Sequence, residues 1–276
     1  MALTDVAIQQ FRDQFTNEYQ QAERKMAGVF QEYRGLIGDA YKIPVVGQLV
    51  MQERGVFHTD IPQQVAAYAS KIITFTNYVT NMPSDIFEQA EVNASERTNY
   101  ARTAAWMTAR IEDQVGIDAL DAAAGTGVVL EGTTNLSVDK IREAGEDLDT
   151  NNVPMANRFI AAHANQKKAL LSETEATSAD YMNVKALVRG DIDTFYGFKF
   201  VWFGDMEEGG LPKTGDERTV YAWHRDAMAY GYSINPTVTI DWSPDKQSWL
   251  IIPKVRLGAI AVLPKGIVKI GCDETK

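Results

Sequence analysis

The stretch "DALDAAAGTGVVLEG" (residues 118–132) decides between two kinds of protein. Two glycines spaced two apart, an acid upstream and β-branched residues behind have the outline of a nucleoside-binding loop. Such a loop leaves a strand and enters a helix, because the free N–H groups of a helix N-terminus must face the ligand. Here Ile111, Val115, Ala119 and Leu120 keep helical spacing up to the glycines, and "VVLEGTTN" behind them starts no helix. Ala123 also fills the slot of the first glycine in the methyltransferase pattern Asp-x-Gly-x-Gly-x-Gly. Gly125 and Gly127 are therefore read as the end of a helix and the start of a loop. No cofactor is expected there.

The helix that ends at these glycines is long. "NASER" (residues 93–97) supplies an Asn cap with Glu96 three residues on. Ala94, Ala101, Ala104, Ala105, Ala109 and Ala119 favour helix, and Tyr100, Met107, Ile111 and Val115 supply apolar contacts. The expected span is residues 94–123, about 45 Å at 1.5 Å per residue, against a usual mean of about 12 residues.

Upstream, residues 4–33 read as a further helix. Val6, Phe11, Phe15, Tyr19, Ala22, Met26 and Phe30 fall roughly on one stripe amid Gln, Glu and Arg. Such a polar terminal helix is either an arm buried on a neighbouring chain or a surface helix packed on its own domain. "IPVVGQLVM" and "KIITFTNYVT" read as strands, the second with Ile73, Phe75 and Val79 alternating with Thr74, Thr76 and Tyr78. The connection between them is several times the usual 2–6 residues or so, a length that suggests it reaches another molecule.

Downstream, Ser137 caps a helix to about residue 149, with Leu136 and Ile141 as a hydrophobic staple. "RFIAAH" reads as a strand, "ANQKKALLS" as a short helix and "DIDTFYGFKFVWF" as a strand. "RTVYAWHRDAMAYGY" reads as a strand followed by a short helix, and "TVTIDW", "SWLIIPKVRLGAIAVL" and "GIVKI" are β again. The class is α+β.

Composition excludes several functions. With 276 residues and 45% apolar content the chain can build a real core. No apolar run approaches the roughly 18 residues of a spanning helix. The opening "MALTDVAIQQFRDQF" has no basic segment before an apolar core, so no secretory signal is expected. A single cysteine, Cys272, excludes an internal disulfide framework and a Cys-rich zinc site. The net charge of −10 is concentrated in residues 81–216, with 23 acidic against 12 basic side chains. Without clustered Lys and Arg, tight sequence-independent DNA binding is not expected. His58, His163 and His224 are not in metal-ligand spacing, and neither a G-x-S-x-G elbow nor a P-loop is present. Acid pairs such as Glu112–Asp113 and Glu207–Glu208 are read as solvated faces. No catalytic residue and no metal site are assigned.

Six segments, in order, resemble the major capsid proteins of tailed bacteriophages, which share the HK97-like fold. They are "HTDIP", "ARTAAWMTARIEDQVGIDAL", "LSVDKIREAGEDLDTNNVP", "ADYMNVKALVRGDIDTFYGFKFVW", "VYAWHRDAMAYGYS" and "VRLGAIAVLPKGIVKI". The resemblance implies an N-terminal arm (residues 1–40), an extended E-loop hairpin (41–80) and a P-domain with its spine helix (81–129). An A-domain (130–233) and returning P-domain strands (234–276) follow. It implies a non-enzymatic chain that assembles through pentamers and hexamers into an icosahedral head around dsDNA. Inter-subunit contacts would come from Arg54, Val56, Phe57, His58, Asp60 and Ile61 of the E-loop and from Phe11, Phe15 and Tyr19 of the arm. Portal, scaffolding and decoration proteins would be partners, the packaged DNA would be touched only weakly, and no membrane would be involved. The implied location is the virion capsid, assembled in the host cytoplasm. A Lys–Asn cross-link of the kind some relatives form cannot be aligned, although Lys71 lies in the hairpin. Two alternatives are an encapsulin-like nanocompartment shell, which shares the fold, and a nucleoside-cofactor transferase built on Gly125 and Gly127.

Overall fold

The long helix forms where alanine content places it. α1 spans Glu96–Ala122, about 40 Å of helix. Its buried ridge repeats every four residues through Ala104, Thr108, Glu112, Gly116 and Leu120, with Asp113 and Ile117 beside it. The computed structural model describes residues 20–53, 55, 63–86, 96–123, 127–129, 134–172 and 194–275.

α1 packs across a five-stranded sheet made of β1 (Gln31–Arg34), β4 (Thr76–Val79), β5 (Met82–Asp85), β12 (Met228–Ser243) and β13 (Ser248–Ala261). The order is β1-β12-β13-β4, with β5 also on β13. β1 runs parallel to β12, and the other pairs are antiparallel. β12 and β13 form a ribbon with register shifts between Tyr232 and Thr237, where Pro236 interrupts the ladder.

A second sheet of seven strands holds β6 (Gly127–Val129), β7 (Arg158–His163), β8 (Thr194–Phe195), β9 (Phe198–Phe203), β10 (Lys213–Thr214), β11 (Glu217–His224) and β14 (Ile267–Asp273). The order is β6-β14-β11-β7-β9-β8, with β10 on β11. Its central strands β7, β11 and β14 are buried on both faces, and their period of two divides them cleanly. Phe159, Ala161, Tyr221 and Trp223 face the core shared with α1, Met26, Phe30 and Tyr230. Ile160, Ala162, Val220, Ala222, Val268 and Ile270 face α2 (Val138–Thr150) and α3 (Ala164–Ser172). The Ser137 hydroxyl caps α2 by accepting from the Lys140 N–H (3.2 Å), and Leu136 and Ile141 are both buried in this second core.

β2 (Ala40–Val46) and β3 (Tyr68–Thr74) form a separate antiparallel hairpin, in register from Ala40–Thr74 to Val46–Tyr68. Its base is anchored where Ile43 and Ile73 meet Ala229 and Val262.

Four expectations need correction. The described part of residues 4–33 is not helical: residues 20–30 are irregular with a turn at 25–28, and β1 follows. Gly28 adopts a φ of +75°, and Met26 and Phe30 turn fully into the core, Phe30 against Trp223 and Tyr230. "MAYGY" is not a helix either. A single 3₁₀ turn at Arg225–Ala227 precedes β12, because pairing with β1 and β13 overrides the local preference of Met and Ala. The alternation read through residues 73–79 slips at Phe75, where the chain passes from β3 to β4 and changes partner. Ile73 is buried, but Val79 is exposed and Tyr78 turns inward. Glu112 and Asp113 are buried rather than solvated, for the reason given below.

Candidate functional site

The clearest polar construction is a clasp between α1 and the segment before β1. Asp113 accepts the backbone N–H of Lys25 (2.8 Å) and of Met26 (2.9 Å), and the Gln21 amide also donates to it. Arg24 lies between Glu112 (3.0 Å) and Glu32 (2.7 Å), with its guanidinium 4.6 Å from the Tyr230 ring centroid. The Tyr230 hydroxyl donates to the Glu112 carbonyl oxygen (2.9 Å) and the Tyr232 hydroxyl to the Glu112 carboxylate (3.3 Å). Burial raises the pKa of both Glu112 and Asp113. Such a network holds a segment in place.

A second network ties down the last described residues. Burial opposes ionisation of Glu274, but hydrogen bonds from Lys213 (2.7 Å) and Arg218 (2.5 Å) hold its carboxyl at about 2. His163 lies 3.5 Å away, its pKa lowered by burial and by Arg218, and its Nδ1 accepts the Asn165 N–H (3.3 Å) at the start of α3. His224 Nδ1 likewise accepts from the Asp226 N–H (3.2 Å). Cys272 is buried in the second core, which pushes its thiol up to about 12 and makes it a poor nucleophile. Among the described residues no cluster of His, Cys, Asp or Glu has metal-binding geometry, and no helix is long and apolar enough to cross a membrane. Gly127 opens β6, paired with Val268 of β14. The glycine pair thus follows a helix that ends at Ala122 and leads into a strand, the reverse of the order a nucleoside loop needs.

The surfaces are more informative than the interior. On the hairpin's outer face Val46 is 57%, Tyr68 76% and Ile72 51% exposed, and Leu49, Val50, Met51 and Val65 beyond it are exposed too. Beyond Tyr232, where β1 ends, one edge of β12 has no partner among the described residues. That same stretch exposes Ile234, Val238, Ile240 and Trp242. A projecting apolar hairpin and a long open strand edge are liabilities for a free chain and are normally covered by a partner. The residues assigned from sequence to inter-subunit contact, Arg54, Val56, Phe57, His58, Asp60 and Ile61 with Phe11, Phe15 and Tyr19, lie outside the described residues, as does Gly125. The sequence reading missed Val46, Tyr68 and Ile72, although their alternation within the two strands is a usable signal.

The family model described as phage capsid protein matches residues 3–274. The chain belongs to this family. Solved structures agree on the fold. The capsid protein resembles a chain from Mycobacterium phage Che8 at 22% identity and TM-score 0.79, with 99% of each chain covered. It resembles the head structure of Helicobacter pylori bacteriophage KHP40 at 11% identity and TM-score 0.79, again over 99% of each chain. The capsid structure of Cyanophage P-SCSP1u aligns at 15% identity and TM-score 0.77, over 96% of this chain and 93% of that one. No curated protein sequence matches. The fold is HK97-like, and the protein is a major capsid protein that forms the phage head. Its family and structural neighbours are structural proteins rather than enzymes, so the transferase alternative falls.

Proposed function

We propose that this capsid protein assembles through pentamers and hexamers into an icosahedral shell around dsDNA, with the β2–β3 hairpin lying on a neighbouring subunit. The observation that carries this reading is the hairpin's exposed outer face of Val46, Tyr68 and Ile72, which no described part of the same chain covers. The five-stranded sheet with α1 serves as the peripheral domain. The seven-stranded sheet with α2 and α3 serves as the axial domain around five-fold and six-fold centres. In this division β14 belongs with the axial domain and all of β12 with the peripheral one, because strand pairing groups them so. A surplus of acidic side chains in residues 81–216 supports weak, non-specific contact with the packaged DNA. Portal, scaffolding and decoration proteins are the further partners of such a shell, and its assembly takes place in the host cytoplasm.

Sedimentation and electron microscopy of the purified protein, alone and co-expressed with the products of neighbouring genes, test this. Rings of five and six subunits and closed shells are expected. A compact monomer under every condition would refute it.

A further inference from the structure

Two glycines face each other across the β12–β13 ribbon, Gly231 being the register partner of Gly258. Directly opposed residues in an antiparallel pair share a face, so together they leave a notch in the sheet. Neither has a positive φ. Backbone freedom therefore does not account for them, and space does. A Cβ built on Gly258 would lie 2.0 Å from the Thr74 backbone oxygen and 3.0 Å from Ile73 Cγ2. One on Gly231 would lie 2.8 Å from Phe75 Cε1, 3.2 Å from Leu36 Cδ1 and 3.3 Å from Ile73 Cδ1.

Apart from Leu36, which lies in the link from β1, the atoms in this notch belong to the hairpin's root. Thr74 ends β3 and Thr76 opens β4, so Phe75 is the single residue between the hairpin's second strand and the sheet, while residues 35–39 link its first strand to β1. The Phe75 N–H donates to the Asp39 carbonyl (3.2 Å), and Arg256 donates to the Asp39 carboxylate (2.6 Å) with its guanidinium 5.9 Å from the Phe75 ring centroid. Both strands of the hairpin are thus gripped at one point, by a carbonyl set into the sheet and by the Asp39–Arg256 pair.

We propose that Gly231 and Gly258 are positioning residues for assembly: the notch they leave seats the hairpin's root and fixes the direction in which the hairpin leaves the sheet. This rests on the reading of the hairpin as an inter-subunit contact. Paired strands are about 5 Å apart and a seven-residue strand is about 23 Å long, so lifting one strand of the root by ~1 Å swings the far end by about 4–5 Å. A shift of that size takes a side chain out of a close-packed contact.

The test separates pose from assembly. Spin labels at Tyr68→Cys, at the hairpin's outer end, and Asp139→Cys, on α2, report the hairpin's direction in the free subunit. Both positions are exposed, and the buried Cys272 does not compete for label. Gly258→Ala and Gly231→Ala should each shift the label separation by about 3 Å or more. Gly204→Ala should not, since a Cβ there meets nothing within 4 Å and its φ is ordinary. In unlabelled protein both notch variants should lose closed shells by roughly tenfold or more. If Gly258→Ala does not fold, Gly231→Ala carries the test, because its Cβ meets side chains rather than backbone and presses on Phe75 at the joint itself. Adding Phe75→Leu should then return the separation to the wild-type value. Unchanged separations in the notch variants overturn the proposal whatever happens to assembly. Shifted separations with normal shells would uphold the notch and instead remove the hairpin from the assembly contacts.

Discussion

Asp113 collects donors from three residues of the segment before β1, and that segment inserts Met26 and Phe30 into the main core. Removing the carboxylate leaves the Lys25 and Met26 N–H groups without their acceptor in a place water reaches poorly. Each such group costs about 1–3 kcal/mol, while relief of the carboxylate's own desolvation offsets part of it. Asp113→Ala should therefore destabilise by about 2–4 kcal/mol. The Lys25 and Met26 amides should lose hydrogen-exchange protection ahead of α1, and protection that stays level with α1 would mean that packing alone holds the segment. Glu274 contributes acid sensitivity. Its folded pKa is depressed from 4.5 to about 2, so its contribution is complete above 4.5 and disappears as pH falls towards 2. Glu112 and Asp113 have the opposite sign: burial raises them, so protonation relieves the folded state rather than weakening it. Glu274→Gln should cost about 1–2 kcal/mol at neutral pH and flatten the fall in melting temperature across that acidic window. An unchanged pH profile would show that Arg218 and Lys213 find other partners.

Among the elements, α1 sets the spacing of the whole body, and Gly116 lets it do so. A Cβ there would lie 2.0 Å from the Tyr230 hydroxyl and 2.8 Å from the Met26 sulfur. On helix propensity alone Gly116→Ala should stabilise by about 0.5–1 kcal/mol. Overpacking costs about 1–3 kcal/mol, and displacing Tyr230 also breaks its bond to the Glu112 carbonyl, so packing should win by about 2 kcal/mol. A more stable Gly116→Ala in denaturant unfolding would contradict the close approach of α1 to β12. The elements that can be read from sequence are those whose signals are local. The alanines of α1, the Ser137 cap with its Leu136–Ile141 staple, and the apolar run of β7 all specify structure within a few residues. Residues 20–33 are different. The spacing of Met26 and Phe30 suits a helix as well as a loop that inserts both, and their partners Trp223 and Tyr230 lie some two hundred residues away. The acids at 112 and 113 look solvated for the same reason, since the loop that buries them is invisible to local pattern. The long connection between two strands suggests a partner surface, which the proposed hairpin contact takes up. The particular side chains chosen lie outside the described residues, whereas the described exposed apolar ones sit within the strands, at Val46, Tyr68 and Ile72, and just beyond them, at Leu49, Val50, Met51 and Val65.

At the scale of the molecule, no described part of the same chain covers the exposed hairpin face or the open edge of β12, and both are explained if the shell covers them. This can be tested without touching the fold. Val46 and Tyr68 are directly opposed across the hairpin and point away from the core formed by Ile43 and Ile73. Val46→Glu with Tyr68→Lys makes that face polar. The opposite charges sit in a cross-strand pair that contributes about 0.2–1 kcal/mol, so the hairpin itself keeps a favourable contact. Exposed substitutions of this kind change stability by about 0.5 kcal/mol or less, which for a chain of this size is a degree or two in melting temperature. Burying the new charges against a neighbour is another matter: a charge without a matched partner in an interface costs several kcal/mol, repeated at each copy of the contact. The double variant should therefore be soluble, melt as the wild type does and sediment as small species, with no shells by electron microscopy. Reversing to Val46→Ala with Tyr68→Phe, which keeps the face apolar, should restore them. If the charged variant closes into shells at wild-type yield, this face stays wet in the particle, and the open edge of β12 becomes the surface that the neighbouring subunit must cover.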